Sequence, residues 1–386
     1  MRTSKNGYWF TIEPYVYANI VGQKVLLYNT LDGKFIEYDN RKISNLLSEV
    51  LRKDSNGVVY LSNDDYGDDE IRMFVDKLRD TYMGDIIEVD LSKGKPIQVL
   101  PYFDLQDREE LYRKINFFPY EDVLENLFEV TIYLGDGVNV DLLINFLHVT
   151  PQTTKFNVRG NLGNKDDYML LMSFFNQRDS SKYIYCDYID IALLNNQFDN
   201  NFTYIVSVCF PVDEKSLEYS IKLLLQQTLP FEYVFFVSSA NELENVKRIV
   251  EKYKIQFCQL SPVYTGENIS FFEDNIYLTK EDIFSEIISV KDIFIHQSMN
   301  IYEYGKISIM PNGDVFANLQ NSKLGNICTD SILSMLHKEL REGKSWFHLR
   351  TEYPCSECLY QWLCPSPSNC ELTIGRPNLC HIKNSN

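Results

Sequence analysis

Between residues 127 and 260 the chain alternates short, nearly continuous apolar runs with stretches of helical periodicity, and this alternation limits the fold more than any other feature. The runs 127–134, 155–159, 183–189, 204–210, 233–237 and 255–260 read as strands, and helical patterns at 142–147, 168–175, 217–225 and 243–250 fall between them. Such a series predicts an α/β fold whose parallel strands curl into a partial (β/α)6 TIM-like barrel. A run such as YVFFV suits a strand covered on both faces. Ser239-x-x-Glu242 and Thr279-x-x-Asp282 mark helix entries by the logic of the capping box. Barrels carry functional loops at the C-terminal ends of their strands. Asp136, Arg159 and Asp187 fall near such ends, where charged groups are ordinarily solvated or paired.

With 386 residues, 45% of them apolar and 24% charged, the chain has material for two or three domains of ordinary globular composition. A net charge of -17 argues against nucleic acid as a partner, because polyanionic phosphate is bound mainly through Lys and Arg. No apolar run approaches the roughly eighteen residues of a membrane span. The polar start, with Arg2 and Lys5, leads into no signal-type apolar stretch, so a cytoplasmic protein without membrane contact is expected.

Residues 1–92 form a first segment. Strands are expected at 15–21, 24–28 and 34–38, with Asp32-Gly33 as a hairpin turn, and a fourth at 58–61. One helix carries Ile43, Leu46, Leu47, Val50 and Leu51 at helical spacing. A second opens on Asp68, Asp69 and Glu70, carries Ile71, Phe74, Val75, Leu78 and Tyr82, and is read as stopping at Gly84. Together these make a small winged-helix-like domain. It carries 11 basic against 16 acidic residues over 1–90, which argues against DNA binding.

The remaining constraint is thiol placement. Of nine cysteines, Cys186, Cys209 and Cys258 sit in apolar surroundings and read as inert, while six fall after residue 327. Cys355-x2-Cys358 is followed by Cys364, Cys370 and Cys380, with Pro365, Pro367, Gly375 and Pro377 interrupting regular structure. Crowding of this kind in an unsecreted chain points to metal before disulfide. A tetrahedral zinc site, an iron–sulfur cluster, a Cys355–Cys358 disulfide and an empty relic all fit the spacing.

The stretch KVLLYNTLDGKFIEY followed by ISNLLSEVL resembles a RiPP recognition element, the small winged-helix domain that binds leader peptides of ribosomally made natural products. That resemblance implies capture of a leader as an added strand beside 34–38, with Phe35, Ile36 and Tyr38 as candidate contacts. The tail resembles a SPASM domain through ISIMPNGDVFAN, LGNI and CSECLYQWLCPSPSNC…LC, over 305–382. It implies that Cys355, Cys358, Cys364 and Cys380 hold one [4Fe-4S] cluster, with Zn2+ as the alternative. Asn318 then stands where a ligand of a first auxiliary cluster is expected, and Cys370 is a spare thiol. His381 reads as a surface histidine and Trp362 as a shield for the site.

The order of segments resembles a radical SAM peptide maturase, yet no cysteine lies between Met1 and Tyr185 to hold the cluster that opens SAM. VRGNLGN replaces a Gly-Gly-Glu-type stretch, with Gly160 retained. The resemblance is therefore to a pseudo-radical SAM protein that is not an enzyme and makes no reductive use of SAM. Its expected organisation is a recognition-element-like domain at 1–92, a degenerate barrel at 93–304 and a SPASM-like cysteine-rich domain at 305–386. The expected function is an accessory one: holding a precursor leader peptide and presenting it to an active radical SAM maturase. The alternative is an iron–sulfur electron-transfer partner of such a maturase.

Overall fold

The computed structural model describes residues 6–101, 123–192 and 199–382; Arg2 and Lys5 lie outside them. The first segment contains β1 (Tyr8–Ile12), β2 (Val16–Val21), β3 (Lys24–Asn29), β4 (Phe35–Asp39), α1 (Arg41–Val50), β5 (Val58–Leu61), α2 (Asn63–Gly67), α3 (Asp69–Asp80) and β6 (Gly84–Glu88). Its strands form two antiparallel sheets of three, ordered β5-β1-β6 and β2-β3-β4. The side chains of Asn40 and Asp68 accept the first free N–H groups of α1 and α3, which fixes where each helix begins. Ile43, Leu47, Phe74, Val75 and Leu78 from the two helices then pack on Phe10, Ile12, Val25 and Leu27.

Three elements here were not read from the sequence: β1, β6 and α2, although Ser62-x-x-Asp65 forms a capping box at the start of α2. β1 is a central strand whose partners lie far along the chain, so neither a hairpin turn nor a repeat announces it. Gly84 is not the helix stop. α3 ends at Asp80, Tyr82 takes the left-handed conformation (φ 56°), and Gly84 opens β6, where a Cβ would stand 2.7 Å from the Thr11 carbonyl oxygen.

The second segment is the alternation read from the sequence. It contains β7 (Glu129–Tyr133), α4 (Val140–Leu147), β8 (Lys155–Arg159), α5 (Lys165–Asn176), β9 (Lys182–Asp187), β10 (Thr203–Cys209), α6 (Glu214–Gln226), β11 (Phe231–Val237), α7 (Ala240–Tyr253) and β12 (Cys258–Pro262). The strands are parallel and adjacent in chain order, β12-β11-β10-β9-β8-β7. β12 begins later than the expected 255–260 because Ile255 belongs to the end of α7. Lys254 turns left-handed there (φ 53°), and Ile255 donates its N–H back to Val250. Of the two capping boxes, Thr279–Asp282 closes fully, whereas Glu242 reaches Ser238 instead of returning to Ser239.

The tail hairpin continues this same sheet. β13 (Lys306–Ile309) pairs parallel with β7, and β14 (Asp314–Phe316) and β15 (Gly325–Asn326) follow antiparallel, making nine strands with β12 and β15 at open edges. One face of the sheet, including Val130, Ile132, Phe156, Val158, Val206 and Phe235, is buried in the largest core with α4, α5 and α6. The opposite face carries Thr131, Tyr133, Asn157, Arg159, Tyr183, Tyr185 and Ser207.

The remaining helices are α8 (Ile269–Asn275), α9 (Lys280–Ile283), α10 (Val290–Ser298), α11 (Ile332–Glu342) and α12 (Asn369–Ile374). A third core joins Tyr17, Leu26 and Tyr28 of β2 and β3 to Ile283, Ile288, Ile293, Leu349, Trp362 and Leu363. The sheet β2-β3-β4 is therefore covered on both faces, by its own helices and by the cysteine-rich tail. Among the described residues, no helix is long and apolar enough to cross a membrane.

Candidate metal centre and strand edge

Four thiols gather at the tail. Cys355 opens a 3-10 turn, Cys355–Glu357, in which the Cys358 N–H returns to the Cys355 carbonyl at 3.1 Å, so two residues of spacing bring both thiols to one side. Cys364 closes a further turn on the Tyr360 carbonyl at 3.0 Å. Cys380 arrives from the other end of the tail and is held by a parallel bridge to Leu278, with Leu278 N–H on Leu379 and His381 N–H on Leu278. Cys355, Cys358, Cys364 and Cys380 line a single pocket of about 390 Å³, partly open to solvent, together with Arg350, Gln361 and Asn378. These are the four thiols that the resemblance of the tail implies as one set; spacing alone left five. Cys370 is not among the lining residues, and Cys328 lines a different pocket beside Tyr133 and Asn139.

The thiols ring this cavity without converging on a point. Among the described residues, no group of three or more His, Cys, Asp or Glu side chains is set to hold a single metal ion. Burial pushes the Cys355 and Cys364 thiols up, with Arg350 as the main opposing charge, and pushes Cys358 up to about 11. Such thiols keep their protons at neutral pH unless a metal displaces them.

A buried ion pair that spacing alone did not reveal braces the ring. Arg350 Nη1 lies 2.9 Å from Glu371 Oε1 and 3.8 Å from Cys355 Sγ, and its Nε donates to the Pro365 carbonyl at 2.6 Å. Both side chains are almost fully buried, at 6% and 4% exposure. Burial works against the guanidinium charge, yet Glu371, Cys364 and Cys355 hold its pKa above the ordinary value. Glu371 also accepts the Leu379 N–H, so this pair ties together the segments carrying Cys355, Cys364 and Cys380. Asn378 Nδ2 donates to Cys380 Sγ at 2.9 Å. The available sequence signal was Glu371 between Cys370 and Cys380, with Arg350 five residues before Cys355.

A four-thiolate centre fits these residues. The donor set is soft, a buried cation offsets part of the negative charge, and N–H donors face two of the sulfurs. Trp362 is buried in the adjoining core with Cys364, and His381 Nε2 contacts the Glu273 carbonyl at 2.8 Å, on the surface. Asn318 is buried and donates to Asn369 Oδ1 at 2.5 Å, and Asn369 donates to Glu303 at 2.9 Å. An amide–carboxyl chain thus occupies the neighbourhood of Cys370.

The strand edge is set by register. Asn29 donates to Lys34 and Asn40 donates to Gln23, so Ile36 and Tyr38 make the paired bonds to β3. The backbone N–H and C=O groups of Phe35, Glu37 and Asp39 consequently face away from β3, along the terminal strand of the sheet. Their backbone groups make no hydrogen bond within the sheet. The side chains expected to contact a peptide are largely engaged elsewhere. Ile36 is buried in the small core, Tyr38 meets Phe74 edge-on at 5.2 Å, and Phe35 stacks on Phe284 at 4.2 Å. Glu37, on the Phe35 side, pairs with Lys280 at 2.7 Å.

At the C-terminal end of the parallel strands, the chain leaves β7 through Gly135–Val138, with no thiol in that turn. Gly160 follows β8 at φ 85°, where a Cβ would sit 2.4 Å from the Leu134 carbonyl oxygen. Close packing of neighbouring strand ends thus accounts for this glycine.

No protein-family model and no curated protein matches the chain. Among solved structures it is similar to native anSMEcpe with bound AdoMet, at 11% identity and a TM-score of 0.44 over 61% of this chain and 88% of that one. It is also similar to native anSMEcpe with bound AdoMet and Cp18Cys peptide, at 13% identity and a TM-score of 0.42 over 62% and 88%.

Proposed function

We propose that this chain is a non-catalytic accessory protein of ribosomal peptide maturation, which holds a precursor leader as an added strand on β4 and presents it to a separate radical SAM maturase. The observation that carries this reading is the outward row of backbone groups on Phe35, Glu37 and Asp39. A terminal strand whose outward donors and acceptors make no hydrogen bond among the described residues is what strand addition requires, and main-chain bonds supply its affinity. Peptide choice would come from side chains beside the edge other than Ile36, which the small core consumes.

In this reading Cys355, Cys358, Cys364 and Cys380 hold one [4Fe-4S] cluster. A cubane spreads four thiolates over four irons, which suits sulfurs lining a cavity better than a lone tetrahedral ion does. Bound there, the cluster would supply cross-linking and, if reducible, electron transfer; this chain's own residues brace it through Arg350 and Glu371. The sequence carries no cysteine before Cys186 to anchor a cluster at the barrel rim, which supports a protein that does not open SAM itself.

The test is fluorescence anisotropy with the fluorescently labelled leader segment of a candidate precursor peptide. Asp39→Pro removes one outward N–H while leaving the bonds to β3 in place. Weaker leader binding by this variant, with unchanged folding, is expected. Equal affinity would remove β4 from the account. A point variant is preferable to deleting 1–92, because Tyr17, Leu26 and Tyr28 are part of the core beneath the cysteines.

A further inference from the structure

Arg159 stands at the C-terminal end of β8, between register partners Tyr133 on β7 and Tyr185 on β9. Its guanidinium carbon lies 3.7 Å from the Tyr185 ring centre and 6.0 Å from that of Tyr133. The flanking rings fix its direction, but among the described residues it takes part in no ion pair and its buried Nε has no hydrogen-bond partner. One layer deeper on the same face, Asn157 is almost wholly buried (2% exposed). Its Nδ2 donates to Glu129 at 2.7 Å and to Thr131 at 3.3 Å, which leaves Oδ1 as a buried acceptor without a donor. Glu129 itself is engaged by Lys155 at 3.1 Å. The nearest acidic side chain further along β9, Asp187, accepts from the Ile189 N–H at 2.9 Å.

An orphaned guanidinium N–H and an orphaned amide oxygen on one sheet face are both costly unless something completes them. We propose that this polar face of the parallel sheet is a binding site for a small organic oxyanion, a carboxylate or phosphate that also carries a hydroxyl or amino group. The oxyanion meets the planar fork of Arg159 between Tyr133 and Tyr185, and the donor group reaches toward Asn157 Oδ1. Burial of Asn157, and of Ile205 beside Tyr185 on the neighbouring strand, restricts the site to a small molecule and disfavours a peptide segment. This site is separate from β4 and from the tail thiols, and it stands whether or not the chain binds a leader.

Isothermal titration of the full chain tests it, using glycolate, acetate and inorganic phosphate at constant ionic strength, with chloride as the reference. Saturable binding of glycolate or phosphate at tens of millimolar or below is expected, with acetate weaker than glycolate because it lacks the hydroxyl. Arg159→Ala should weaken binding roughly tenfold or more, and Arg159→Lys, which keeps the charge and loses the fork, should fall between. Near-ultraviolet circular dichroism checks the fold of each variant, and the Lys variant decides the matter if the Ala variant does not fold. Absence of binding by the unaltered chain would overturn the proposal, as would equal affinity in the folded variants. Competition by an acidic peptide as effective as glycolate would overturn the restriction to small molecules.

Discussion

The Tyr360 hydroxyl donates to the Glu37 carboxylate at 2.7 Å, joining the cysteine-rich tail to the terminal strand of the N-terminal sheet across more than three hundred residues of chain. Lys280 approaches the same carboxylate at 2.7 Å, and Asn19 donates to the carbonyls of Cys358 and Leu359. The thiol ring and the β4 edge are therefore built on one packed unit. Tyr360→Phe deletes one of these links and leaves Glu37 with Lys280. A loss of about 1 kcal/mol in urea unfolding is expected, and a change beyond twice that would mean the contact does more than tie the two parts together.

Replacing Cys355, Cys358, Cys364 or Cys380 singly by Ser should abolish stoichiometric metal binding, since each lines the same cavity. Cys370→Ser and Cys328→Ser should keep it. Elemental analysis of the six variants decides, and retention by Cys364→Ser together with loss by Cys370→Ser would reassign the ligand set.

Arg350→Ala leaves the Glu371 carboxylate buried without its partner. Breaking a buried pair in this way costs about 3–5 kcal/mol, and a cost of that size in chemical denaturation is expected. Arg350→Lys, which cannot reach both Glu371 and the Pro365 carbonyl as a planar fork does, should be only partly corrective. A stability unchanged within error would show that the pair is not a brace.

Stability should fall on the acid side through the turn after β14. Asp330 is held below the usual carboxylate range, chiefly by the Asn326 N–H and then by the Thr329 hydroxyl, and Asp314 is lowered by Asn326 and Lys323. A depressed folded pKa gives stability that is complete above the unfolded value of roughly 3.9 and is lost as pH falls through the folded values. The melting temperature should therefore decline below about pH 5, and Asp330→Asn should flatten that decline while lowering stability at neutral pH. An acid limb of identical steepness in the variant would exclude Asp330 as a contributor.

The parallel sheet was legible because buried strands and their covering helices write a local pattern: 155–159 alternates Phe156 and Val158 with polar residues, and 233–237 is an apolar run. The hairpin around Gly313 was legible for the same reason, but its junction with β7 was not, because a parallel pairing between Glu129 and Lys306 leaves no trace at either site. β1 escaped notice as a central strand with distant partners. At the thiol ring, Cys-x2-Cys spacing exposed the Cys355–Cys358 pair through local geometry, whereas the Arg350–Glu371 brace spans a separation that only folding closes. Arg159 was visible as a charge at a strand end. That it makes no ion pair among the described residues was not legible, because its flanking partners Tyr133 and Tyr185 come from other strands.

Iron, zinc and acid-labile sulfide in the anaerobically purified full chain test the account of the tail most directly. One cluster held by Cys355, Cys358, Cys364 and Cys380 predicts about four irons and four sulfides per chain, with a reducible absorption band that disappears in Cys358→Ser. Stoichiometric zinc without sulfide, or a second set of iron and sulfide that survives loss of the tail cysteines, would contradict it.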